Sequence, residues 1–300
     1  MIADAWQISL GEVLALLTAV TWAAAVILFK KSGETVHPIG LNLFKDLLAV
    51  VLLVPTIWLF GETLFYPASW QDYGIIFLSG ALGIGVADTL FFKSLNILGA
   101  GLSAIIDCLY SPFVIGLSLL FLGESLTLLQ MIGALMIISA VLTAVTETQA
   151  NVSDRMTIIK GSIYGALAQA CTATGVVMVK PVLERSPLLW VTEMRLLAGS
   201  LFLIAFLAFH PNRKRIIKSV TTRLGFGYTF FGSLAGGYLA MALWLGGMKF
   251  TQASTAAVLN QTSNIFIFIL AALFLKEKIT FLRLIGILVG VGGALLVTFG

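Results

Sequence analysis

Long runs of apolar residues, separated by short polar or Gly/Pro-containing breaks, fill nearly the whole chain. Each run is about 20 residues long, the length that a helix needs to cross the roughly 30 Å hydrocarbon core of a bilayer. The ten runs are Leu10–Phe29, Leu41–Phe60, Tyr73–Phe92, Ala100–Leu122, Thr127–Val145, Gly161–Val179, Leu188–Phe209, Gly225–Met248, Ala253–Leu275 and Phe281–Phe299. The pattern predicts an all-α polytopic membrane protein with ten transmembrane helices.

The composition supports this prediction. Hydrophobic residues make up 59% of the 300 positions and charged residues only 11%, whereas soluble domains carry about 25% charged residues. A cytosolic enzyme, a nucleic-acid binder and a disordered chain are therefore excluded. Cys108 and Cys171 lie inside apolar runs and are interpreted as packed thiols. Residues Met1 to Glu12 have no basic region before the first apolar run, which predicts a retained helix and not a cleaved signal.

The two halves of the chain are related by an internal repeat. Leu109–Val145 aligns with Thr262–Thr298 at an offset of 153, and eleven of the 23 positions from Phe113 to Leu135 are identical to their counterparts. The predicted units are 1–147 and 160–300, joined by a connecting loop at 148–159. Because each unit has an odd number of helices, the second crosses the membrane in the opposite sense. Inverted repeats of this kind are the architecture of secondary transporters.

Positive charge predicts the orientation. Counted with their nearest loops, fourteen of the 18 Lys and Arg residues fall on one side of the ten-helix topology, including the basic stretch Asn212–Arg223. Because Lys and Arg are retained on the cytoplasmic side, this side is predicted to face the cytoplasm, with both termini outside. The expected location is the plasma membrane.

Several motifs resemble a known family. They are Ala19-Val20-Thr21-Trp22, the prolines Pro38 and Pro187 that open the second and seventh helices, and the Leu-x-Glu-x-[Leu/Ile]-Thr segments at Leu122–Thr127 and Leu275–Thr280. Together they are similar to the EamA-type branch of the drug/metabolite transporter superfamily. The resemblance implies a ten-helix carrier of small metabolites, such as amino acids, drugs and related solutes, often moved out of the cell. The family's second helix usually carries an Arg; Arg195 matches it in the second half, and Asp46 stands there in the first.

Polar residues inside the apolar runs are the candidate substrate site, because ionisable groups in a membrane are costly. Asp107, Tyr110 and Ser111 share one helix face by their i, i+3 and i+4 spacing. Asn260, Gln261 and Asn264 occupy the matching part of the ninth run, so the repeat predicts that the two faces meet at the centre. The alternative reading is that these groups hold helices together through hydrogen bonds.

Five further residues complete the candidate site, each with an alternative. Asp88 either couples transport or pairs with nearby Lys93. Arg195, placed near the outer surface, either clamps a carboxylate or phosphate or anchors a helix by a salt bridge. Trp22 contacts either substrate or a neighbouring helix. Gln169 is polar and deep, and Tyr238 is an amphipathic ring that could also anchor at an interface.

Five other residues have structural interpretations. Glu124 and Glu277 are expected to favour the positive ends of the fifth and tenth helices, and Lys45 with Asp46 is read as a helix-anchoring ion pair. Pro112 is expected to kink the fourth helix and free a carbonyl beside the site.

The predicted function is secondary active transport by alternating access, with Asp107 as the coupling group. The alternative is a lipid or isoprenoid-phosphate flippase on the same scaffold. No metalloprotease, phosphate-loop or metal-cluster motif occurs, which argues against an enzyme. No cofactor is expected, although proton coupling is compatible with the site. The expected partners are a small-molecule substrate and membrane lipid, with no nucleic acid; substrate identity and oligomeric state stay open.

Overall fold

The computed structural model describes residues 10–121, 127–150, 154–221, 223–251, 256 and 259–299. Its apolar helices are α1 Leu10–Ser32, α2 Pro38–Leu59, α3 Trp70–Leu98, α4 Ala100–Phe121, α5 Leu128–Ala150, α6 Arg155–Arg185, α7 Leu188–Ala208, α8 Gly225–Phe250, α9 Leu259–Phe274 and α10 Phe281–Phe299. The first eight are long and apolar enough to cross a membrane, and α9 and α10 are shorter over their described residues. The protein is a multi-pass, all-helical membrane protein.

Several helices extend beyond the apolar runs that predict them. α6 covers Arg155–Arg185, and it starts inside the stretch 148–159 that was predicted to be a connecting loop. Asp154 caps this helix by accepting a hydrogen bond from the Thr157 amide at 3.2 Å, and bonds with Thr157 lower the pKa of its carboxyl. The helix therefore begins at a polar cap and not at the edge of the apolar run. Glu124 and residues 1–9 lie outside the described residues.

The packing of helices follows the same scheme in both halves. α1 packs against α8 and α9, and the corresponding helix α6 packs against α3 and α4. α2 contacts α8 as α7 contacts α3, and the pairs α2–α7, α4–α9 and α5–α10 each join two helices that correspond under the repeat. Exchange of the two halves thus leaves the set of principal contacts unchanged.

Two helices contain a wider, π-helical segment. The segments are Ala81–Val86 in α3 and Ser233–Ala240 in α8. When the first segment is shifted along the sequence by the repeat offset of 153 residues, it falls within the second segment. π-Helical turns are rare and occur frequently at functional sites.

Two further helices are interrupted at corresponding places. α4 is divided after Asp107 and resumes at Tyr110, and α9 is interrupted at Thr262. Pro112 accounts for the first break, because it cannot donate to the Cys108 carbonyl four residues earlier; the Ser111 amide donates to that carbonyl instead, at 3.3 Å. The expected disturbance of the fourth helix is therefore present.

Two lysines, the half-buried Lys30 and the buried Lys180, bind the ends of neighbouring helices. Lys30 donates to the Leu95 carbonyl at the end of α3 at 3.1 Å. Lys180, its counterpart in the second half, donates to the Met248 carbonyl near the end of α8. Cations at helix C-termini complement the negative end of the helix dipole, so each lysine fixes the end of a helix that lines the centre.

Glu277 caps a different helix from the one expected. Its carboxylate accepts hydrogen bonds from the amides of Ala100 and Gly101 at 2.8 and 2.9 Å. It therefore satisfies amides at the N-terminus of α4 that have no partner within that helix. The prediction that Glu277 stabilises the N-terminus of α10 is wrong, because its carboxylate binds α4 instead. Gly99, with a φ of +82°, forms the tight turn between α3 and α4.

Candidate functional site

A cavity lies where the π-helical segments of α3 and α8 approach the interrupted helices α4 and α9. The residues that line this central cavity are Thr18, Trp22, Lys45, Gly83, Asp88, Phe91, Asp107, Tyr110, Gln169, Thr172, Gly236, Ala240, Met241, Trp244, Asn260, Gln261, Ser263 and Asn264. Both halves of the chain contribute to it.

Asp107 presents a carboxylate without a positive partner. Its side chain is 8% exposed and lies at the break of α4. Oδ1 accepts a hydrogen bond from Gln169 Nε2 at 2.6 Å, and no Lys, Arg or His of the described chain forms a salt bridge with it. Because a buried carboxylate without a cation is costly, this group is suited to accept a proton or a cationic ligand.

The amides of α9 connect this helix to the break in α4. Gln261 Nε2 donates to the main-chain carbonyl of Asp107 at 3.1 Å. Asn264 Nδ2 donates to Gln261 Oε1 and approaches Cys108 Sγ at 3.4 Å. These two side chains therefore do hold helices together, as the alternative reading predicts. Asn260 differs, because its Oδ1 is buried and makes no hydrogen bond to a described residue.

Asp88 pairs with Lys45 and not with Lys93. Lys45 is 1% exposed, and its Nζ lies 2.8 Å from Asp88 Oδ2 and also binds Asp46 Oδ1. Lys93 instead lies over the ring of Tyr164, 5.6 Å from its centroid. Lys45 was interpreted as part of a helix-anchoring pair with Asp46 alone. It is a lining residue of the cavity, held by carboxylates from two helices.

Aromatic rings form much of the apolar surface of the cavity. The Trp22 ring centroid lies 5.6 Å from that of Phe91, and the centroids of Tyr110 and Trp244 are 6.4 Å apart. Trp22 also packs edge-on against Phe29 of its own helix, so it lines the cavity and, through Phe91, contacts the neighbouring helix α3 at the same time. Sequence reasoning did not select Phe91 and Trp244 as site residues, since an aromatic ring in an apolar run carries no signal of which side it faces.

Three of the candidate residues, Tyr238, Ser111 and Arg195, do not line the cavity. Tyr238 faces α2, where its hydroxyl and that of Thr56 are 2.6 Å apart. Ser111 is buried beside the break of α4, and its hydroxyl makes no hydrogen bond to a described residue. The prediction that Asp107, Tyr110 and Ser111 share one helix face assumed a regular helix. The break at Cys108 turns the residues after it relative to Asp107, so the spacing no longer places all three on one face.

Arg195 lies one layer behind the cavity wall. It is fully buried, although it was expected near the outer surface, and its Nε donates to Ser79 Oγ at 2.9 Å. Ser79 in turn donates to the Gly175 carbonyl at 2.6 Å. The guanidinium carbon is 5.8 Å from the centroid of the Trp244 ring, while Nη1 and Nη2 make no hydrogen bond to a described residue. Neither a salt bridge nor direct exposure to the cavity is present.

Metal ligands are not grouped in the part of the chain that the structure describes: no cluster of three or more His, Cys, Asp and Glu residues is placed to hold an ion. Cys108 is buried, Cys171 is half-buried, and both are free thiols. The chemistry of the cavity therefore rests on carboxylates, amides, one lysine and aromatic rings.

Comparisons with known proteins agree with this architecture. The model of the EamA-like transporter family matches residues 9–146 and again residues 159–299. An uncharacterized transporter of Archaeoglobus fulgidus is 26% identical over 284 residues, which cover 93% of this chain and 94% of that protein. A solved crystal structure superposes with a TM-score of 0.70 at 16% identity, over 97% of this chain and 98% of the other, which shows a common fold.

The family resemblance of the motifs is thereby confirmed over nearly the whole sequence. The relatives support a membrane transporter, and the apolar helices support an integral multi-pass protein. The chain belongs to the EamA-like transporter family.

Proposed function

We propose that this chain is a secondary active transporter that moves a small metabolite by alternating access through the central cavity. The observation that carries the proposal is the cavity itself. It is lined by helices of both halves, at the level where α4 and α9 are interrupted, and the unpaired carboxylate of Asp107 belongs to its wall. Transporter sites typically lie at the interface of two repeats, beside discontinuous helices.

The proposed architecture is ten transmembrane helices in two inverted repeats of five. Two matches of the same family model, one in each half, support a duplication. The exchange of packing partners between the halves and the common offset of the π-helical segments support it further. In this architecture one set of helices rocks against the other and exposes Asp107 alternately to the two sides.

The proposed coupling group is Asp107, which would exchange a proton or bind substrate during the cycle. We further propose the plasma membrane as the location, both termini on the outer side, and export of a solute such as an amino acid or a related amphiphile. The charge distribution supports the orientation. No cofactor is required by this mechanism.

The flippase alternative receives less support from the geometry. A headgroup carrier would present a cation such as Arg195 or Lys180 to an opening between helices. Arg195 is fully buried, and Lys180 is 7% exposed, with its ammonium bound to the carbonyls of Met248 and Thr251. Neither side chain is available to a lipid phosphate in this conformation.

Purified protein in proteoliposomes tests the proposal. We expect saturable uptake and counterflow of a solute from a panel of amino acids, amines and related metabolites, and loss of its pH dependence with Asp107→Asn. Glu34→Gln is the matched control, because Glu34 is an exposed carboxylate paired with Lys31 at the membrane surface. Wild-type-like, pH-dependent exchange by Asp107→Asn would reject the role of Asp107. Transfer of labelled lipid without any solute exchange would support the flippase instead.

A further inference from the structure

The charges at the cavity do not balance. Three carboxylates, those of Asp46, Asp88 and Asp107, lie in its wall or directly behind it. Two cations, Lys45 and Arg195, lie in the same region. With all five groups ionised, the region carries one negative charge in excess. A ligand that adds one positive charge would neutralise it.

Both cations are already engaged or covered. Lys45 is 1% exposed and is bound by the carboxylates of Asp46 and Asp88. Arg195 has no solvent exposure and lies behind the ring of Trp244. Among the described lining residues, no cation is therefore free to hold a carboxylate or a phosphate of a solute.

Hydrogen-bond acceptors, in contrast, are available. Asp107 uses Oδ1 to accept from Gln169, and no described residue donates to its Oδ2. Asn260 lines the same cavity, and its buried Oδ1 has no hydrogen-bond donor among the described residues. Since Gln261, the next residue, donates to the Asp107 carbonyl, the chain segments that carry the two acceptors are in contact at one corner of the cavity. A buried acceptor without a donor is costly, so this corner favours a ligand that donates.

The surrounding surface suits the rest of such a ligand. The rings of Trp22, Phe91, Tyr110 and Trp244, together with the thioether of Met241, line the cavity. Aromatic faces attract ammonium groups and also pack against apolar groups. An ammonium group offers three donors and one positive charge, which are the two properties that the corner lacks.

We infer that the transported solute is an organic amine with an apolar or aromatic body, whose protonated amino group binds between Asp107 and Asn260. The inference rests on the proposed transport function and narrows it to a substrate class. The positive charge of the solute balances the excess negative charge, and its N–H groups satisfy the two free acceptors. A carboxylate on the solute gains no cationic partner in this conformation.

Binding of matched probes to the purified protein tests the inference. Three series with phenylethyl, indolylethyl and pentyl bodies are each compared as amine, alcohol and carboxylate, at pH 7, by the shift in thermal unfolding temperature and by the dissociation constant. We expect at least one amine to bind at least tenfold more tightly than its alcohol, and the carboxylates to bind most weakly. If no amine binds more tightly than its alcohol, the inference is wrong.

Three variants locate the binding site. Asp107→Asn should weaken amine binding at least tenfold, and Asn260→Leu should weaken it severalfold while the cavity carboxylate is retained. Glu34→Gln should leave amine binding unchanged. The second variant keeps the test valid if the first folds poorly, because it changes no charge. Amine binding that is insensitive to both cavity variants would contradict the assignment.

Transport assays separate this inference from the proposed function. Amines that bind should compete with, or drive, counterflow in proteoliposomes. Exchange of other solutes without any amine effect would reject the amine class and leave the carrier intact. Amine binding without exchange of any solute would keep the site and reject the carrier.

Discussion

Asp88 and Asp107 line the same cavity, yet their surroundings differ in one decisive respect. Asp88 lies 2.8 Å from the ammonium of Lys45, whereas Asp107 has the neutral amide of Gln169 as its side-chain partner, at 2.6 Å. The first carboxylate is compensated within the protein and the second is not. The comparison teaches that the partner, and not the residue type or its depth, decides which acid can serve a ligand.

The two arrangements carry different costs. A buried ion pair repays its desolvation only while both partners are present, so removal of one partner is strongly destabilising. The negative charge of an unpaired carboxylate has no cation within the protein, so a bound ligand or a proton must compensate it. Under the proposed function, Asp88 therefore contributes to stability and Asp107 to transport.

The largest effect is expected for Lys45→Met. This change leaves the carboxylates of Asp46 and Asp88 buried without a cation, and it should lower the free energy of unfolding by about 3–5 kcal/mol. Thermal unfolding in detergent and the yield of monodisperse protein measure it. A variant as stable as the wild type would mean that the two acids are compensated in another way, and the comparison would fail.

The next effect concerns Gln169→Lys, which gives Asp107 a cation of its own. Both Asp88 and Asp107 are then paired with a lysine. We therefore expect amine binding to fall at least tenfold, while the unfolding temperature stays near that of the wild type. Calorimetric titration with the tightest-binding amine measures the change. The matched variant Gln169→Met adds a side chain of similar length without charge; if it reduced binding as strongly, the added charge would not be the cause.

A smaller effect is expected for Asp88→Asn. Lys45 keeps Asp46 as a charged partner, so the free energy of unfolding should fall by only about 1–2 kcal/mol. The pH dependence of transport should persist, because Asp107 is unchanged. Loss of that dependence in Asp88→Asn would transfer the coupling role from Asp107 to Asp88.

The smallest effect is expected for Lys31→Met. Lys31 also pairs with an acid, Glu34, at 3.1 Å, but both side chains are largely in contact with solvent. Exposed pairs of this kind contribute less than about 1 kcal/mol, so thermal unfolding should change little. Together with Lys45→Met, this variant separates the effect of burial from the effect of pairing itself.

The sequence predicts the apolar helices well because their signal is local. Every predicted run has a helix over its described residues, and Asp107 stands out as a charge in the middle of one run. Pro112 likewise marks the interruption of α4, because it cannot donate a backbone hydrogen bond, although α2 and α6 continue through Pro55 and Pro181. These features depend only on residues that are close in sequence, so they can be predicted without knowledge of the fold.

Contacts between distant segments could not be predicted in the same way. Lys45 and Asp88 are separated by a helix and a loop, and nothing in either run shows that they meet. Arg195 appeared to lie near the surface because it is close to the start of α7, whereas neighbouring helices bury it completely. The interruption of α9 at Thr262 has no proline to announce it, because Ile265 stands where α4 has Pro112.

The π-helical segments of α3 and α8 also suggest how the cavity could change shape. A wide turn holds one residue more than an α-turn, and such a defect can move along a helix by exchanging hydrogen bonds one at a time. Each step rotates the side chains that it passes by about 100°, the angle per residue of an α-helix. Asp88 and Trp244 follow the two segments within a few residues. A migrating turn would therefore swing both side chains relative to the cavity while the two ends of each helix stay anchored.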